Sequence, residues 1–94
     1  MEVRWVRRAL ANLDELAEYI ARDDLEAAVG VVELIKLRVE QLASFPGLGR
    51  SGRVAGTREL VIAGTPYVVP YRIRDARVEV LRVIHSARKW PMKF

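Results

Sequence analysis

Apolar side chains in the first half of the chain recur at helical spacing. Val6, Ala9, Leu10, Leu13, Leu16, Ala17 and Ile20 fall on one face, and Asp14, Glu15, Glu18 and Arg22 take the other. This predicts an amphipathic helix after a break near Val6-Arg7-Arg8, with Val3 and Trp5 suited to a short edge strand before it. Asp23-Asp24 interrupts the pattern with side chains that accept from the free N–H groups of a helix start, and Glu26 follows three residues after Asp23. In the second helix Leu25, Ala28, Val32, Ile35, Val39 and Leu42 step by three and four, while Val31, Leu34 and Leu37 widen the apolar surface onto a second flank. A link of about two residues makes the pair an antiparallel hairpin. The stripe is too short for a coiled coil and suits packing within the domain.

The pattern changes at Phe45-Pro46-Gly47-Leu48-Gly49. Gly47, Gly49, Gly52 and Gly56, interleaved with Arg50, Ser51 and Arg53, make a flexible basic loop. Beyond it Thr57–Ala63, Tyr67–Arg74 and Arg77–His85 read as consecutive strands, linked by Gly64-Thr65-Pro66 and by a turn at Asp75-Ala76. A four-residue turn from Arg74 to Arg77 sets Ile73 opposite Val78, Tyr71 opposite Val80, Val69 opposite Arg82 and Tyr67 opposite Ile84, so one sheet face is almost wholly apolar. The helical hairpin belongs there. On the other face Pro66, Val68, Pro70, Arg72 and Arg74 meet His85, Val83, Leu81, Glu79 and Arg77, which would leave Val68, Leu81 and Val83 as an exposed interaction patch. The expected architecture is α+β: one domain over residues 1–94, with a helical hairpin (1–45) packed on one face of a small antiparallel sheet (57–86).

Composition narrows the chemistry. With no cysteine and a single histidine, disulfide frameworks, thiolate metal sites and Cys/His nucleophiles are excluded, and neither a metal nor a cofactor is expected. Met1-Glu2-Val3-Arg4-Trp5 resembles no targeting segment, and no apolar run approaches the roughly 20 residues that span a bilayer, so a cytoplasmic protein without a membrane is expected. Residues 1–49 carry 6 Lys/Arg against 9 Asp/Glu, and residues 50–94 carry 10 against 3. A basic C-terminal half points to a polyanion or an acidic protein as partner, or to an arginine-rich solvated surface.

The sharpest chemical candidate is His85, whose unperturbed pKa suits proton transfer near neutrality; Arg88 and Lys89 follow as phosphate clamps. The other reading is a strand-end histidine that hydrogen-bonds backbone. Glu79 sits opposite Arg72 and suits a cross-strand ion pair better than general-base duty. For nucleic acid or protein binding the candidates are Arg50, Arg53 and Arg58, then Arg72, Arg74, Arg77, Arg88, Lys89 and Lys93, with Trp90 as an aromatic platform or as packing for the tail.

Together Gly56-Thr57-Arg58-Glu59-Leu60, Thr65-Pro66-Tyr67-Val68-Val69, Tyr71-Arg72-Ile73 and Val78 through His85-Ser86-Ala87-Arg88-Lys89-Trp90-Pro91 resemble the C-terminal half of a RelE/ParE-type toxin of a type II toxin-antitoxin system. Ala9, Leu13, Leu16, Tyr19-Ile20-Ala21, Asp23, Ala27-Ala28 and Leu42 through Gly47 extend the resemblance over nearly the whole chain. It implies the small α+β toxin fold, a cognate antitoxin as partner, and either inhibition of DNA gyrase, as in the ParE (plasmid-stabilisation) branch, or ribosome-dependent mRNA cleavage, as in the RelE branch. A third possibility is a non-toxic relative that only occupies an antitoxin. Relative to RelE-like nucleases, Val68 stands where an arginine is expected, no lysine lies between Lys36 and Lys89, and Trp90 replaces a tyrosine or histidine, although Arg88 matches. The resemblance therefore favours gyrase, with His85 and Arg88 as catalytic candidates in the nuclease case. Arg50, Arg53, Arg58, Arg72, Arg88 and Trp90 are target-binding candidates, and Val31, Leu34, Leu37, Val68, Arg72, Arg74, Leu81 and Val83 are antitoxin-binding candidates.

Overall fold

Both amphipathic segments are helices in a computed structural model that describes residues 1–94. α1 spans Arg7–Ala21 and α2 spans Leu25–Glu40, and a 3-10 turn at Gln41–Ala43 carries Leu42 into the core. The cap of α2 is Asp24, whose carboxylate accepts from the Ala27 N–H at 3.0 Å; the Asp23–Glu26 spacing is not the one used. Neither helix is long and apolar enough to cross a membrane.

The strands are β1 (Glu2–Trp5), β2 (Arg50–Ser51), β3 (Arg58–Val61), β4 (Tyr67–Arg74), β5 (Arg77–Val80) and β6 (Ile84–His85). They lie in the order β1-β5-β4-β3-β2, with β6 also on β4. β3, β4 and β5 form the expected meander, with Tyr71 opposite Val80 and Ile73 opposite Val78. The sheet is mixed, however, because β1 pairs in parallel with β5. A local hairpin rule cannot foresee that pairing, which joins the two ends of the domain after the helices have crossed one sheet face. Leu13, Leu16, Ile35, Val39 and Leu42 pack there against Leu60, Ile62, Val69, Tyr71, Val78 and Val80.

The expected register fails beyond Leu81. The Leu81 N–H still bonds the Pro70 carbonyl at 2.9 Å, but Ile84 lies opposite Val68 and His85 opposite Tyr67. Arg82 and Val83 therefore face the single residue Val69, a β-bulge. The extra residue exchanges the faces of everything after it. Val83, expected on the open face, enters the core beneath the helices; Arg82, expected inward, does not; and His85 moves to the helical side beside Tyr67.

The second sheet face is not open either. Val68, Leu81 and Ile84 are buried, as are Pro70 and Glu59 in the adjacent strands. The C-terminal segment and the glycine loop meet over this side, with the Arg53 guanidinium 4.0 Å from the centre of the Trp90 ring. Covering three such aliphatic side chains contributes about 1.5–3 kcal/mol each, which is reason enough for the tail to fold back. Val68, Leu81 and Val83 thus offer no docking surface in the folded domain. On α2, Val31 and Leu34 pack partly against the core, and only Leu37, 61% exposed, projects freely from the second flank.

Candidate functional site

The bulge creates the site. It delivers His85 edge-on to Tyr67, with ring centroids 5.5 Å apart and planes at 85°, on the side where α1 passes. Arg8, Asn12, Glu15 and Tyr19 follow one another along α1 by steps of four, three and four, which aligns them in one row. Asn12 ties the row to the bulge, since its Oδ1 accepts from the Val83 N–H at 3.2 Å. Two adjoining clefts lie between this row and the chain after Val83. One, of about 300 Å³, is walled by Tyr19, Tyr67, His85 and Arg88; the other, of about 250 Å³, is walled by Arg8, Arg82, Arg88 and Lys89. Asn12, Glu15, Val83, His85 and Arg88 border both.

His85 Nδ1 accepts from the Ala87 N–H at 3.1 Å, so the neutral ring carries its proton on Nε2. In this arrangement it donates but has no lone pair free to take a proton, and no carboxylate orients it. That is the strand-end histidine rather than a general base. Burial pushes the Tyr67 hydroxyl above its usual pKa, Arg88 partly offsets this, and Tyr19 adds to it, so Tyr67 is protonated and a donor near neutrality. The cleft thus presents donors, a cation and the single carboxylate of Glu15, and its histidine is not poised as a base. Sequence reasoning assigned Tyr67 to the fold alone and missed Tyr19, Asn12 and Glu15; the four–three–four row on α1 was the signal available.

Most of the arginines proposed for target binding are engaged within the domain. Glu59, 2% exposed, is a hub: Oε1 accepts from Arg50 Nε at 3.1 Å and Nη2 at 3.0 Å, and Oε2 accepts from the Arg53 N–H at 2.7 Å. Arg58 donates to the Gly49 carbonyl at 2.8 Å, holding the glycine loop to β3. Arg72 Nε donates to Glu79 Oε1 at 2.7 Å as the cross-strand pairing predicts, and this bond holds the Glu79 carboxyl below its usual range. Trp90 stacks on Arg53 and buries its indole N–H without a partner. Arg74, Arg77 and Arg88 make no ion pair. The structure does not gather these six target candidates into one surface: Arg50, Arg53, Arg58 and Trp90 cluster around the glycine loop, Arg72 pairs on the β4–β5 hairpin, and Arg88 belongs to the α1 clefts.

This fold and its sequence have known counterparts. A family model described as the ParE toxin of type II toxin-antitoxin system, parDE, matches residues 3–90. A putative toxin, Y4kP, of Sinorhizobium fredii is 51% identical over 90 residues, covering 95% of this chain and 92% of that one. The toxin RelE2 of Caulobacter vibrioides is 37% identical over 87 residues, covering 93% and 97%. Among solved structures, a chain of the chromosomal ParDE system of P. aeruginosa superposes with a TM-score of 0.81 at 30% identity, covering 90% of this chain and 95% of that one. With a family match over nearly its whole length and the same two helices on a mixed sheet, the chain belongs to the ParE toxin family of type II toxin-antitoxin systems, within the RelE/ParE superfamily.

Proposed function

We propose that this chain arrests growth in the bacterial cytoplasm by binding and inhibiting DNA gyrase, without cleaving a bond itself, and that a cognate antitoxin neutralises it. The observation that carries this reading is the occupied Nδ1 of His85: the one side chain suited to proton transfer is committed to the Ala87 N–H. Val68, in the position of a nuclease arginine, is buried and apolar, which supports the same side. Catalysis of phosphodiester cleavage needs several groups held together around the phosphate. In a supercoiling assay, the purified chain should inhibit gyrase and leave translated mRNA intact. Unaffected gyrase alongside degraded mRNA would overturn the reading.

A second reading, ribosome-dependent mRNA cleavage, has its own support in the relative named RelE2 and in the grouping of Tyr19, Tyr67, His85 and Arg88 around one cleft. Combined His85→Ala and Arg88→Ala substitution discriminates, since a nuclease would lose toxicity while retaining its antitoxin. Growth that continued normally on expression without antitoxin would favour a non-toxic relative instead. For the antitoxin, the surfaces that remain available are the α2 flank at Leu37, with the outer edges of Val31 and Leu34, and the β4–β5 hairpin with Arg72 and Arg74. A charge reversal at Arg74 that left antitoxin affinity unchanged would remove the hairpin from this contact.

A further inference from the structure

Val68, Leu81 and Ile84 are buried, yet they stand outside the cluster beneath α1 and α2. With both helices on the other sheet face, the glycine loop and the chain after His85 are what remain to cover them. These two covers are held very differently. The loop is tied down: the Glu59 carboxylate accepts from Arg50 and from the Arg53 N–H, and the Gly52 N–H donates to the Thr57 carbonyl at 2.8 Å. The tail is not. Its last backbone hydrogen bonds run from Ser86 to the Pro66 carbonyl at 2.7 Å and from Arg88 to the His85 carbonyl at 3.0 Å. Beyond Arg88 the directed contacts are two ring–cation pairs, Trp90 with Arg53 at 4.0 Å and Phe94 with Arg82 at 5.8 Å.

Loop and tail meet at Arg53. Its N–H bonds Glu59 Oε2 at 2.7 Å, its Nε lies 3.8 Å from Glu59 Oε1, and its guanidinium carries the Trp90 ring. The closed arrangement also has a built-in penalty, because the Trp90 indole N–H is shut away from solvent without an acceptor. Lifting the tail would hydrate that donor. Apolar burial and a weak ring–cation contact therefore work against an abandoned N–H, which leaves the closed form modestly favoured. We propose that Lys89–Phe94 is a strap that opens at the Arg53–Trp90 contact while the core stays folded, uncovering Val68, Leu81 and Ile84. Closed, the strap withholds this apolar face; open, it presents the face in proportion to the open fraction. The movement belongs to the chain itself and stands whichever target the toxin arrests.

The test uses the absence of cysteine from the chain, since one introduced thiol then reports on one place. Val68 and Val69 are neighbours on β4 at 4% and 0% exposure, the first on the strap side and the second beneath the helices. Val68→Cys and Val69→Cys are labelled with an aromatic disulfide reagent at one pH, where a buried thiol reacts only when its cover lifts. The thiol at position 68 should react at least about tenfold faster than the one at 69, because strap opening is commoner than global unfolding. Adding Arg53→Gln or Trp90→Ala should raise the rate at 68 about fivefold and leave 69 unchanged, whereas Arg74→Gln, on the far hairpin, should change neither. Leu81→Cys against Val80→Cys repeats the comparison on the neighbouring segment, and melting curves show which variants fold. Equal rates on the two faces overturn the proposal, as does a rate at 68 that ignores both substitutions. So does a rise at 69 in step with 68, which would make the tail part of the cooperative core, or an equal rise in Arg74→Gln, which would signify net charge alone.

Discussion

Replacing Tyr71 with phenylalanine removes one oxygen from a side chain that is wholly buried at the junction of the helical half and the sheet. That hydroxyl donates to the Pro46 carbonyl at 2.7 Å and accepts from the Gly49 N–H at 2.8 Å, so it pins both sides of the loop that leads to Arg50 and Glu59. The two chain segments approach closely there, since an added Cβ on Gly49 would fall 2.6 Å from the Tyr71 ring. An abandoned buried N–H costs about 1–3 kcal/mol, and the partly exposed Pro46 carbonyl adds a smaller amount. A total of about 2–3 kcal/mol is expected for Tyr71→Phe, which in a domain of this size lowers Tm by roughly 8–24 °C. Thermal denaturation followed by circular dichroism at pH 7 measures it. Burial raises the Tyr71 pKa above 10.0, outweighing the lowering effects of Gly49 and Arg58. A folded-state pKa above the unfolded value means that the tyrosine's contribution is complete below pH 10 and is lost as pH rises through the folded value. The phenylalanine variant lacks this titration, so the gap between the two should narrow above pH 10. A drop of less than about 4 °C at pH 7 would show that the loop satisfies its own backbone and would refute the reasoning.

Three other outcomes are expected. The β4–β5 turn places Asp75 and Ala76 at φ of 52° and 58°, a left-handed pair without glycine, so Ala76→Gly should raise Tm by about 4–8 °C, read in the same melts. The Arg72 bond lowers the Glu79 pKa below 4.5, so the stability of that pair is present above the unfolded carboxylate pKa and lost as pH falls through the folded one. Melts from pH 7 to 2 should therefore show Arg72→Gln converging on the parent in acid, and a gap that stays constant would count against the pairing. Gly30 lies exposed within α2 with nothing within 4 Å of an added Cβ, so Gly30→Ala should stabilise the free chain by about 1 kcal/mol. If antitoxin affinity falls in the same variant, a partner approaches α2 closely at that point.

Helical periodicity and the β4–β5 pairing were legible because both depend on neighbours in sequence: Leu13, Leu16, Ile35 and Val39 announce one buried face, and Tyr71 faces Val80 once the turn is placed. What escaped depends on a single residue or on distant chain. A bulge leaves no mark in alternation when both of its residues, Arg82 and Val83, suit a strand, and yet it decided which side His85 occupies. Val68 and Leu81 are buried on the side where Trp90 of the tail meets Arg53 of the glycine loop, segments that carry no periodic pattern to place them. Glu59 read as an ordinary strand residue, because its partners Arg50 and Arg53 reach it across a loop of unknown path. The basic character of the second half was evident from composition, but its division into structural arginines and the unpaired Arg82, Arg88 and Lys89 was not.

The parallel pairing of β1 with β5 also governs when the molecule can come into being. Glu2–Trp5 are made before Arg77–Val80, their only strand partner. Until that segment follows, β1 has no edge to join, and the Val6 N–H at the entry to α1 lacks the Val80 carbonyl it bonds at 3.0 Å. The helical hairpin can form locally, but closure of the domain waits for contacts far apart in sequence, the slow kind. Between the synthesis of β1 and that of β5 the nascent domain is therefore incomplete and partly exposed. An antitoxin already present would meet its partner at or after closure, and a chain cut short ahead of β5 would not close at all.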